Sequence, residues 1–95
     1  MSEEAEADVR EGYQFYERRR TGLGEVFLDS IDACLHAICR VPKARTFFLE
    51  DFRRALVRKF PYAVYYTYDE TEHKVVVYCV FHSKRDPQAL RERLS

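Results

Sequence analysis

His82 closes a valine-rich run and stands three residues before Arg85, with Lys84 between them. A histidine that titrates near neutrality beside cations suits acid–base work on a phosphate group. The same imidazole has a structural use, hydrogen-bonding the loop that opens the last helix. His73, next to Glu72 in a turn, reads as solvated, and His36 as a partly exposed helix residue. A second group of candidates lies upstream: Arg53, Arg54, Arg58 and Lys59 fall in the run RRALVRKF. If this run is a strand, alternate members share a face and can contact phosphate or an acidic protein surface. Pairing with carboxylates of the preceding helices would serve them as well. Tyr62, Tyr65, Tyr66 and Tyr68 offer rings for stacking on bases, although tyrosine is also a favoured strand residue.

Charge is unevenly spread around a net of zero, with 16 acids and 16 bases. Residues 1–42 carry nine acids and five bases, residues 43–60 six bases and two acids. Residues 61–82 hold three acids and one base, and residues 83–95 four bases and two acids. The basic middle segment suggests a face for an anionic partner, or a solvated strand whose cations pair with helix acids.

Ninety-five residues suit one domain, residues 1–95, with one core that buries roughly 60–65% of the unfolded surface. Nothing resembles a run of ~18 apolar residues, and the acidic start MSEEAEAD is unlike a signal peptide, so a cytoplasmic protein is expected. Cys34, Cys39 and Cys79 are odd in number, lack a CxxC pair and sit in apolar patterns. That favours reduced, mostly buried thiols over a disulfide framework. Cys34, His36 and Cys39 make a poor metal set, since a spacing of five on a helix turns the two sulfurs well over ~100° apart. No metal and no cofactor is expected.

These residues need elements to position them. Ser2 before Glu3 and Glu4 makes a helix start, with a hydroxyl cap and acids in the first turn. That helix runs to about Arg20 with Ala5, Val9, Tyr13 and Tyr16 on one face. Thr21–Gly24 breaks it, and a second helix spans about Glu25 to Arg40, where Phe27, Ile31, Cys34 and Ile38 form an apolar stripe. Pro42 ends it. Such a hairpin must lie on a sheet. Three strands are predicted: Phe52 to Lys59, Tyr62 to Tyr68 and Lys74 to Phe81. In the last, Val75, Val77, Cys79 and Phe81 point one way and Val76, Tyr78, Val80 and His82 the other. Asp86-Pro87 then caps a short helix to Leu94. The fold class is α+β: a two-helix antiparallel hairpin on a short antiparallel sheet with a C-terminal helix.

Taken together, EAEADV, YQFYE, TGLGEVFL, RRALVRKFPYAVYY and VYCVFHSKRDP resemble the RelE/ParE superfamily of toxins from bacterial type II toxin–antitoxin systems. The likeness covers nearly the whole chain, and FPY with HxxRDP places it nearer the ParE-type members. Two departures stand out. Relatives usually begin with a strand before the first helix; here Ser2 already caps that helix, so either the start is trimmed or misassigned or an edge strand has been lost. They also often carry tryptophan where this chain has Leu90. A vacant strand position exposes a sheet edge, so self-association or capture of an antitoxin segment there is expected.

The resemblance implies a cognate antitoxin and one of two activities. ParE-type members bind and poison DNA gyrase without chemistry of their own. RelE-type members act on the ribosome and cleave messenger RNA. That reaction needs a base for the ribose 2′-hydroxyl, cations for the developing phosphate charge and an acid for the leaving oxygen. On the RelE-type reading His82, Arg85 and Arg54 are the working residues. On the ParE-type reading Arg53, Arg54, Arg58, Lys59, Lys84 and Arg85 form the surface that meets a partner or nucleic acid. No full RelE-type set is matched by motif, which favours gyrase inhibition. A degenerate member that binds antitoxin without toxicity is a third reading. No membrane association is implied.

Overall fold

The computed structural model describes residues 1–95. Helix α1, Glu3–Arg19, starts where Ser2 Oγ accepts a hydrogen bond from the Ala5 amide at 3.1 Å. Its first turn holds Glu3, Glu4 and Glu6, and its last holds Arg18 and Arg19, both favourable to the helix dipole. Helix α2, Leu23–Arg40, begins two residues earlier than the sequence pattern suggests. The break is made by Arg20 in extended conformation and Gly22 at φ 91°, while Gly24 belongs to the helix. Glu17 secures this corner: its carboxylate accepts from the Gly22 and Gly24 amides at 3.0–3.1 Å. The predicted stripe of Phe27, Ile31, Cys34 and Ile38 is buried.

The sheet has four antiparallel strands in the order β1 (Phe47–Leu49), β2 (Phe52–Leu56), β3 (Tyr62–Asp69) and β4 (Lys74–His82). Strand β1 is an addition to the three predicted. Its three residues are too few to show a period, and the tight turn after it, with Glu50 at φ 49°, carries no glycine to mark it. Strand β2 stops at Leu56, earlier than expected. Lys59 takes φ 72°, a conformation outside the strand region, so Arg58 and Lys59 lie in the turn to β3 and not on a strand face.

Strict alternation in β4 is also corrected. Tyr65 pairs with Cys79 but Tyr66 with Val77, so Tyr78 is an extra, bulged residue. Beyond the bulge the faces exchange. Val77 and Val80 enter the core beneath α1 and α2 together with Ala55, Val57, Val64 and Tyr66. Cys79 and Phe81 face the other side. There helix α3, Pro87–Leu94, packs Leu90 and Leu94 on Ala63, Tyr65, Cys79 and Phe81. Leu90 is thus a core residue, 8% exposed. Asp86 caps α3 by accepting from the Gln88 amide at 3.0 Å. One face of the sheet is therefore covered by the hairpin. The other is covered by α3 over β3 and β4 but left open over β1 and β2.

Candidate functional site

At the end of β4, register places His82 opposite Tyr62, their ring centroids 5.4 Å apart. The hairpin's first helix closes the other wall, giving a cleft of about 350 Å³ lined by Asp8, Glu11, Arg18, Tyr62, His82 and Arg85 among others. His82 Nδ1 accepts from the Lys84 amide at 3.1 Å, and its carbonyl accepts from the Arg85 amide at 3.0 Å. The imidazole thus organises the turn into α3, with Nε2 left to carry the ring proton. The turn is held from the other side by the Ser83 amide, which donates to the Pro61 carbonyl at 2.7 Å. Arg85 stacks its guanidinium on Phe81 at 4.2 Å, and Lys84 is exposed. Burial, then the neighbouring Tyr16 and Glu11, push the Tyr62 hydroxyl up, against the pull of Arg85. Its proton stays on at neutral pH, which makes it a donor and not a base.

Arg54 is elsewhere. It pairs with Tyr65 across β2 and β3, and Tyr65 belongs to the α3 side of the sheet, whereas Tyr62 packs on the hairpin side. The fold brings His82 and Arg85 to one cleft and sets Arg54 on the opposite face. The cleft also mixes carboxylates with cations, which suits a polyanion poorly.

Arg54 lies with Phe48 on the open part of the α3 face, and Arg53 lies with Phe47 on the reverse of the same sheet edge. Phe47 is 60% exposed, and Phe48 and Leu56 are exposed with it. Arg53 lies 4.0 Å over the Phe47 ring and Arg54 4.8 Å over Phe48. Arg53 also donates to the carbonyls of Lys43 and Arg45, which fixes the loop into β1. None of Arg53, Arg54, Arg58 or Lys59 pairs with a carboxylate of the hairpin. The ion pairs are Lys43–Glu70 at 2.6 Å and Arg93–Asp8 at 2.8 Å. Arg53 is positioned by an aromatic ring and backbone oxygens and lies near Asp51, Asp69 and Glu70, while Arg54 is positioned by the Phe48 ring.

Asp8 escaped the sequence reading. Its buried carboxylate accepts from the Val80 amide at 3.0 Å and from both terminal nitrogens of Arg93 at 3.0 and 2.8 Å. Arg93 also donates to the Tyr78 carbonyl, and the Ser2 amide to the Val77 carbonyl. These groups occupy the β4 edge where a further strand would pair. The available signal was an acid at the helix position between Ala5 and Gly12, both on the inner face. Of the thiols, Cys34 and Cys79 are buried and Cys39 is exposed.

Compared with known families, residues 1–87 match the family described as ParE toxin of type II toxin-antitoxin system, parDE. The chain belongs to the ParE toxin family. It is a toxin-family protein of the type II toxin–antitoxin class, in which a cognate antitoxin is the partner. A search of curated proteins finds no match. The ParE family's fold accounts for the hairpin, the antiparallel sheet and the C-terminal helix. No helix is long and apolar enough to cross a membrane.

Proposed function

We propose that this ParE-family chain acts by binding DNA gyrase, inhibits it without covalent chemistry and is silenced by its cognate antitoxin in the cytoplasm, so stabilising the plasmid or locus that encodes the pair. The observation that carries the reading is that strand register sets His82 and Arg54 on opposite faces of the sheet. A nuclease needs base, acid and cations around one phosphate. A binding protein needs an anchored surface, and the Phe48–Arg54 stack on the open face and the Phe47–Arg53 stack on the reverse of the same sheet edge each set a cation beside apolar area. Arg58 and Lys59 in the adjoining turn extend that surface, and Lys84 and Arg85 provide cations at the far end of the sheet.

The second reading, a ribosome-dependent endoribonuclease, draws on the shared cleft of Tyr62, His82 and Arg85. Expressing the chain and its His82→Ala variant separately, then following plasmid supercoiling and translation, separates the two. Supercoiling blocked equally by both proteins is the expected result. Translation arrest abolished by His82→Ala would overturn the gyrase reading. Loss of neither process would mark a non-toxic member that keeps only its antitoxin partner.

A further inference from the structure

Between α2 and β2 lies a pocket of about 440 Å³ lined by Ser30, Ala33, Cys34, Ala37, Arg40, Arg45, Leu56 and Arg58. Three guanidinium groups border it and no carboxylate does. None of the three forms an ion pair. Arg45 is held in place by donating to the Ala37 carbonyl at 3.5 Å, near the C-terminal end of α2 where a cation is favoured. Arg40 comes from the last turn of the same helix and Arg58 from the β2–β3 turn. The fold thus gathers cations from three separate segments around one opening, although like charges repel there. The floor has a different chemistry. Ala33, Ala37 and the buried Cys34 are apolar, Leu56 contributes its carbonyl, which accepts from the Cys34 thiol, and Ser30 adds one hydroxyl.

We infer that this pocket binds an organic phosphate of mononucleotide size, its phosphates held by Arg40, Arg45 and Arg58 and its organic part resting on the apolar floor. Planar guanidinium forks match the tetrahedral oxygens of phosphate, and three of them exceed what a single carboxylate can use. The volume falls within the roughly 300–1,000 Å³ of small-molecule sites and is more than inorganic phosphate fills. The site shares Arg58 with the surface proposed to meet gyrase but no side chain with the His82 cleft, and binding measured on the chain alone reads it without either target.

Calorimetric titration of the full chain with adenosine diphosphate at fixed ionic strength tests it, with inorganic phosphate and citrate as comparison ligands. Arg40→Gln and Arg58→Gln are both exposed changes, and Arg20→Gln, at the corner of the helical hairpin, serves as a control. The expected result is saturable binding of the diphosphate, weakened about tenfold by each pocket variant and unchanged by the control. Absence of binding at millimolar ligand, or binding indifferent to Arg40 and Arg58, would overturn the site. Citrate or inorganic phosphate binding as tightly as the diphosphate would overturn the ligand class.

Discussion

Cys79 shows how far position alone can change a side chain. It lies fully buried beneath α3, and burial, with Asp8 adding to it, pushes its thiol up to about 12 from an ordinary 9.0. The folded chain therefore keeps this proton where the unfolded chain has begun to release it. The unfolded state then binds fewer protons, so stability declines as pH rises from 9 towards 12. Denaturant midpoints at neutral pH and near pH 10.5 should show the decline, and Cys79→Ala should make it shallower. Buried tyrosines Tyr65 and Tyr66, raised by the same desolvation, leave some slope in that variant. A thiol reagent at pH 8 should label exposed Cys39 first and leave Cys79 to react only on unfolding. His82 makes the complementary point. The sequence put it next to cations at a strand end, but only its bond from the Lys84 amide says which ring nitrogen is already engaged.

Among the elements, the helical hairpin depends on one missing side chain. A methyl group added at Gly12 would stand 2.6 Å from Cζ of Phe27. That ring cannot retreat, because Tyr16, Phe60 and Tyr62 surround it with centroids 5.0–5.3 Å away. Alanine at a helix interior gains about 1 kcal/mol over glycine, but overpacking a tight core costs about 1–3 kcal/mol. Gly12→Ala should therefore destabilise the protein by up to about 2 kcal/mol in urea denaturation. Adding Phe27→Leu should cost less in that background than in the wild type, since the smaller side chain relieves the clash. The two long helices were legible in the sequence because caps and a 3.6-residue period agree. The sheet was less so. A three-residue β1 has no period to read, and the bulge at Tyr78 moves Val80 and Phe81 to the faces opposite those that simple alternation assigns.

For the molecule as a whole, the tie between Asp8 and Arg93 joins α1, the β4 edge and α3 across 85 positions of sequence. Removing one partner leaves a buried charge or donor without a match. Asp8→Asn should cost about 2–4 kcal/mol, lowered from the fully buried range because the Arg93 side chain is 26% exposed. Thermal or denaturant unfolding of the single and double variants would measure the coupling; additive losses would show that the pair acts as two separate contacts. The same groups meet the Val77, Tyr78 and Val80 backbone, so a partner strand at this edge must displace them. Sedimentation of the wild type and Asp8→Asn at micromolar concentration should therefore show more self-association in the variant if that edge is an interface.

Local pattern alone determined the helix caps, the apolar stripe of α2, the α+β order and the family likeness. Each of these rests on neighbours within a turn or two of chain. The tertiary structure decided which cations share a face, that Arg54 and His82 stand apart, that Asp8 is a buried anchor and that Arg40, Arg45 and Arg58 meet. Those outcomes depend on strand register and on which helix covers which side. A single bulge or a positive φ resets both without leaving a mark in the composition.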